Sequence, residues 1–145
     1  ATNPDIRTHR LALNSGYASH YSIFAYQNHP LKINGKDTFI PDSSCDDGVC
    51  NETIASLWEN TLTYGFGYRC EAVTQPSICS PQFARSGTYR QFIDVTKKES
   101  GTSLLNGGRE AGQAQARLTY KLNIPGTQPP GDYTNAVVLI AAPSF

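Results

Sequence analysis

The sequence predicts an all-β protein: an antiparallel β-sandwich of about seven strands, in a single domain spanning residues 1–145. Three observations predict it. Apolar and polar residues alternate with period two in segment after segment, as in strands with one buried face. Gly and Pro, 12 and 9 in number, punctuate those segments as turn formers. Helical periodicity is absent except over residues 52–58, where a single helical turn would open after Asn51 as its cap.

The elements follow in chain order. Residues 6–13 form a strand with Arg7, His9, Leu11 and Leu13 on one side. Residues 21–27, rich in aromatics and Ile, form a second. Asn34-Gly35 is a turn signal. The stretch 28–59 has little periodicity and reads as one long loop, closed by Cys45 and Cys50 and anchored by Trp58. Loops of that length are often functional. Residues 61–73 set Leu62, Tyr64, Phe66, Tyr68 and Cys70 against Thr61, Thr63, Gly65, Gly67 and Arg69. Glycines opposite aromatics predict a strand closely approached by other parts of the chain. Residues 88–95 alternate Tyr89, Gln91, Ile93 and Val95, and Asn106-Gly107-Gly108 reads as a turn.

The clearest strand is 113–124. Ala114, Ala116, Leu118, Tyr120, Leu122 and Ile124 share its buried face, and Gln113, Gln115, Arg117, Thr119, Lys121 and Asn123 its wet face. Pro125-Gly126 and Pro129-Pro130-Gly131 then break the chain. The last run, 132–142, is apolar on both faces in its second half, which predicts a central strand or one covered on both sides. Strands of this length and spacing are those of an immunoglobulin-like sandwich.

Composition excludes several function classes. Lys plus Arg is 12 and Asp plus Glu is 12, so the net charge is zero, and charged residues are only 17% of the chain. Nucleic-acid binding needs clustered cations, and no polybasic patch favours a membrane surface. The longest apolar run, residues 136–142, is far short of a membrane span. The chain has no Met and opens Ala1-Thr2-Asn3-Pro4, which reads as a mature or trimmed product.

Four cysteines fall in two close pairs, Cys45/Cys50 and Cys70/Cys79. Three connectivities are possible; the local one is favoured because Gly48 and Pro76 can turn the chain inside each pair. A zinc site would need two-residue knuckles or helical His spacing, and neither is present. Disulfides predict a location outside the cytosol.

Catalytic signatures are missing. There is no Gly-x-Ser-x-Gly, no His-Glu-x-x-His and no phosphate loop. His9, His20 and His29 lack the spacing of a base or a metal site. The expectation is a non-enzymatic chain without a cofactor. Asp42, Asp46 and Asp47 form an acidic, glycine-bent loop with the hard oxygen donors that suit calcium, but without EF-hand spacing. Asn51-Glu52-Thr53 is an N-glycosylation sequon. Lys121 and Asn135 lie on adjacent strands, as an internal isopeptide bond would require, although Lys121 falls on the wet face. The aromatic set Tyr21, Phe24, Tyr26, Tyr64, Phe66, Tyr68, Tyr89 and Phe92 reads as core, with a sugar-stacking platform as its alternative.

The C-terminal third carries a resemblance. Pro130-Gly131-Asp132-Tyr133-Thr134-Asn135 followed by an apolar last strand is similar to the closing hairpin of spore-coat-U-type pilins and related fimbrial subunits. The Ala-Ala-Pro-Ser-Phe145 ending, the Ser15-Gly16-Tyr17 junction, the Cys45/Cys50 loop and Trp58 resemble secreted bacterial surface β-sandwich proteins. The resemblance implies a structural subunit of an extracellular filament or pilus on the bacterial cell surface. Such domains carry an apolar strand ahead of the segment that begins here at Asn3, so it also implies a sandwich one strand short, completed by a neighbour through donor-strand exchange. The implied partner is the chain itself, polymerised head to tail, with a secretion chaperone or a host or cell-surface ligand beside it. Val137, Val138, Leu139 and Ile140 are then the strand that meets the neighbour. The alternative is a monomeric cell-surface adhesin, or a glycan- or calcium-binding module built on the 28–59 loop.

Overall fold

The structure is a computed structural model that describes residues 3–109 and 113–145. Ala1 and Thr2 of the opening tetrapeptide lie outside the described residues. In chain order the strands are β1 (Asp5–Asn14), β2 (His20–Gln27), β3 (Lys32–Ile33), β4 (Ser56–Leu57), β5 (Gly65–Ala72), β6 (Thr88–Tyr89), β7 (Ile93–Asp94), β8 (Leu105–Gly108), β9 (Gln113–Asn123), β10 (Tyr133–Thr134) and β11 (Val137–Ser144). A 3-10 turn spans Pro81–Phe83.

The fold is all-β and sandwich-like, with two principal sheets. One has the order β1-β9-β5, antiparallel throughout. The other has β11 paired to β2, with β7 and β8 along the far side of β2. The period-two pattern decides which faces meet. Ala114, Ala116 and Leu118 of β9 join Tyr21, Ile23 and Ala25 of β2 in the core, with Phe66, Tyr68 and Cys70 of β5. Phe66, Tyr68, Phe92 and Tyr120 make a continuous aromatic contact there, closest between Tyr68 and Phe92 at 4.4 Å between ring centroids. Phe24 and Tyr26 are half-buried on the other face of β2.

Five expectations need correction here, and a sixth, for the last strand, below. Asn106-Gly107-Gly108 is strand β8, not a turn. Tyr21 is in register with Gly107, and a Cβ there would lie 2.3 Å from the Tyr21 ring, so glycine makes room for the tyrosine. Residues 52–58 form no helix. The Asn51 side-chain oxygen accepts from the N–H groups of Thr53 and Ile54 and from the Thr53 hydroxyl, which closes a turn before β4. The run 88–95 is split into β6 and β7, because Arg90 leaves to exchange both backbone hydrogen bonds with Tyr68. The pairing of β2 with β7 is parallel, as is the isolated bridge between Asp42 and Phe66, so the pairing is not antiparallel throughout.

The fifth concerns the wet face of β9, which is covered over its second half. Thr119, Lys121 and Asn123 are buried there. The loop 28–59 folds back over that face, adds β3 and β4, and builds a second small core of Cys45, Cys50, Trp58 and Tyr89. Trp58 lies against Gly67, in register with Lys121, where a Cβ would meet the indole at 3.4 Å. Lys121 Nζ donates to the Trp58 carbonyl and stands 4.8 Å and 5.0 Å from the Trp58 and Tyr89 ring centroids.

Candidate functional site

The two sheets are closed on one side and open on the other. On the closed side, β5 is covered by backbone. Phe66 N–H donates to Pro41 O at 3.0 Å, Ser43 N–H to Phe66 O at 2.9 Å, and Tyr68 N–H to Arg90 O at 2.9 Å. The second sheet is covered likewise, by Val95 N–H on Gln27 O and Leu104 N–H on Ile23 O. Cys70–Cys79 and the bridge from Cys79 to Leu105 tie β5 to β8 there. β1 and β11 are therefore left together on the opposite side, each the end strand of its sheet.

These two edges differ chemically. On β1, the residues in register with inward-facing Leu122, Tyr120 and Leu118 are Asp5, Arg7 and His9, all exposed. Arg7 and Asp5 form an ion pair at 3.2 Å. Inward-pointing charge on an end strand is a device that blocks strand addition, because a new neighbour would have to bury it. β11 has no charge at all over residues 136–145. Val137 and Leu139 are half-buried against the core, whereas Val138 and Ile140 are exposed on the outer face. The expectation of a central strand fails here: β11 is apolar on both faces yet open along one edge.

Backbone direction on that edge follows from one bond. Asn28 N–H donates to Ala136 O at 3.0 Å, so Ala136 faces β2. Antiparallel alternation then turns the N–H and C=O of Val137, Leu139 and Ala141 outward. Pro143 has no N–H to offer and ends this ladder of donors.

Beside the open side lies a groove of about 840 Å³. Leu31, Ile40, Phe66, Tyr120, Leu122 and Ile124 line it, with Arg7 and the 128–134 segment at its rim. It exists because the inner face of β9 extends beyond the cover that β11 and β2 supply.

The other predicted residues separate. Cys45–Cys50 and Cys70–Cys79 are both disulfides. The first is buried, whereas Cys79 is half-exposed. Mild reductant followed by alkylation and peptide mass mapping is expected to label Cys70 and Cys79 before Cys45 and Cys50; the reverse order contradicts this packing.

Asp42, Asp46 and Asp47 do not converge on a cation. Asp46 accepts the backbone N–H groups of Glu59 and Asn60, Asp47 accepts from Val49 N–H, and Asp42 points into the protein. Among the described residues no group of three or more His, Cys, Asp and Glu is placed to hold a metal. Asn51 is half-buried in its turn. Asn135 bonds to Gln27 and His29, whereas Lys121 bonds to Trp58, so the lysine and the asparagine do not meet.

Sequence reasoning missed a buried polar cluster at the base of β11. Gln27 Nε2 donates to both Asp42 carboxylate oxygens at 3.0 Å and to Asp94 Oδ2 at 3.3 Å. Asn135 donates to Gln27 Oε1, which connects the cluster to the residue pair ahead of β11. Burial pushes the Asp42 carboxyl up to about 6; the Gln27 bond and Lys97 oppose this, and Asp94 and Glu99 add to it. The signal available in the sequence was a Gln at the end of an apolar strand, where a buried amide has to find partners.

Comparison with protein-family models, curated proteins and solved structures finds no match to this chain. No helix among the described residues is long and apolar enough to cross a membrane.

Proposed function

We propose that the protein is a structural subunit of an extracellular filament or pilus, and that a strand from another chain adds to β11. The observation that supports this is the contrast between the two open edges. β1 carries the charges that discourage strand addition, and β11 carries none while presenting free backbone donors and exposed apolar side chains. Strand addition of this kind draws affinity from the main chain and specificity from alternate side chains. A strand running along β11 would also lie over the mouth of the groove, where its inward residues meet Leu122 and Ile124. Two disulfides suit an oxidising, extracellular setting. The likeness of the 130–135 turn and last strand to fimbrial subunits points the same way.

Immunogold labelling of producing cells with an antibody against the folded chain is expected to mark fibres. Ile140→Lys, on the exposed face, should change stability by less than about 1 kcal/mol and abolish those fibres. Fibres that persist with Ile140→Lys, or a chain that stays monomeric in native material, sink the proposal. A second reading, a monomeric ligand-binding module, draws on the groove alone.

A further inference from the structure

The open edge of β11 complements itself. Resting on the reading of β11 as an acceptor edge, we infer that before assembly two copies cap one another through β11, antiparallel and centred on Leu139. In that register Leu139 exchanges both backbone hydrogen bonds with Leu139 of the second copy. Val137 does so with Ala141 of the second copy, and Ala141 with its Val137. Every outward N–H of both strands is then used. A register centred one residue later sets Val137 against Pro143, which has no N–H to return. One centred a residue earlier leaves Ala141 beyond the end of the partner strand.

The side chains agree with the same register. On the outer face Val138 stands opposite Ile140 of the second copy, and Ile140 opposite its Val138. These residues are 48% and 47% exposed in the single chain, and the pairing covers them together. Residues 136–145 carry no charge, so two copies meet without like-charge repulsion. β1 is a poorer partner for β11, because Arg7 and His9 point inward along it.

The pairing is two-fold and therefore closed, whereas a filament requires an open, heterologous contact. The dimer thus holds the acceptor edge out of use until another strand displaces the second copy. Edges that protect each other also need no charge of their own.

Sedimentation velocity of the intact chain tests this, with two variants. Leu139→Cys should cross-link to itself under mild oxidation, because the paired Cα atoms would lie about 5.5 Å apart. Val137→Cys should not, since its own copy would be about 13 Å away along the strand. Ala141→Pro removes an outward N–H and spares the bonds to β2, so the fold should persist, as proline is tolerated on a free edge. It should weaken dimerisation by at least about tenfold, with a melting midpoint unchanged at dilutions where both proteins are monomeric. A dimer that ignores Ala141→Pro, or that cross-links equally at 137 and 139, overturns the inference. A monomer that nonetheless binds a fluorescein-labelled peptide of residues 136–144 overturns the dimer and leaves β11 as an acceptor edge. A monomer that ignores the peptide overturns both.

Discussion

Trp58→Ala is expected to destabilise the protein by about 4 kcal/mol, the middle of the range for truncating a buried aromatic. Trp58 is fully buried and sits at the centre of the second core. Its indole N–H donates to Thr63 O at 2.9 Å, its ring meets Tyr89 edge-on at 5.5 Å, and Lys121 stands over it. Alanine there opens a cavity and strips Lys121 of one of its two aromatic partners while the ammonium stays buried. Burial holds the Lys121 amine below the usual lysine range, and the charges of Asp46 and Glu59 oppose that shift. The loss is a large fraction of the roughly 5–15 kcal/mol that holds a typical domain folded. Urea unfolding checks the total. Lys121→Met, alone and with Trp58→Ala, isolates the pair in a double-mutant cycle, where a coupling of about 1 kcal/mol or more is expected. A Trp58→Ala loss below about 1 kcal/mol would mean that the 28–59 loop is not held by this contact.

Much of this second core was legible in residues and none of it in periodicity. Gly67 and its neighbours announced a close approach, and Trp58 was an anchor in want of a site. The covering of β9 was hidden because its outer face reads Gln, Arg, Thr, Lys and Asn, the composition of a solvated face. A lysine stem packs well on aromatic rings when its ammonium finds a carbonyl, so polarity along a strand marks the face without telling what covers it. β8 was misread for a related reason. Local turn propensity in Asn106-Gly107-Gly108 is real, but tertiary pairing with Tyr21 outweighs it. The paired acids were illegible because Asp42 and Asp94 are far apart in sequence and are brought together by Gln27 from a third segment. By contrast β1, β2 and β9 stand where the alternation puts them, and in β2, where every second residue is buried, long-range burial reinforces the local pattern.

The neutral composition also gains meaning from burial. Arg69, Arg90 and Lys121 are buried, as are Asp42 and Asp94. Arg69 bonds to the carbonyls of Phe83 and Thr88, and Arg90 to the Tyr68 hydroxyl and Thr102. These cations hold loops together from inside, so the surface is poorer in charge than the sequence suggests.

Stability is expected to fall as pH rises from about 4 to 7, and Asp42 is the cause. The carboxyl is only 4% exposed. Desolvation raises it from 3.8 to about 6, against the Gln27 bond and Lys97, with Asp94 and Glu99 reinforcing the rise. The folded state therefore binds the proton more tightly than the unfolded chain. The resulting stabilisation is full below the unfolded value of 3.8 and is lost as pH passes about 6. The shift corresponds to about 3 kcal/mol. Asp46 acts in the opposite sense: burial would raise it, but the bonds from Glu59, Thr63 and Asn60 and the charge of Lys121 leave it lowered. Its contribution is present above the ordinary carboxylate range and fades in stronger acid, so the optimum falls in mild acid. Asp42→Asn removes the titration and keeps one oxygen for Gln27, so it should flatten the profile between about pH 4.5 and 7.5 and stabilise the protein at the upper end. Denaturant unfolding at those two pH values, on both proteins, decides it. Equal wild-type stability at the two pH values, or an Asp42→Asn variant with the wild-type slope, would remove Asp42 as the cause. Because Gln27 also receives Asn135 just ahead of β11, the same titration acts on the base of the open edge, and hydrogen exchange at Val138 and Ile140, whose amides face β2, should slow toward mild acid along with global stability.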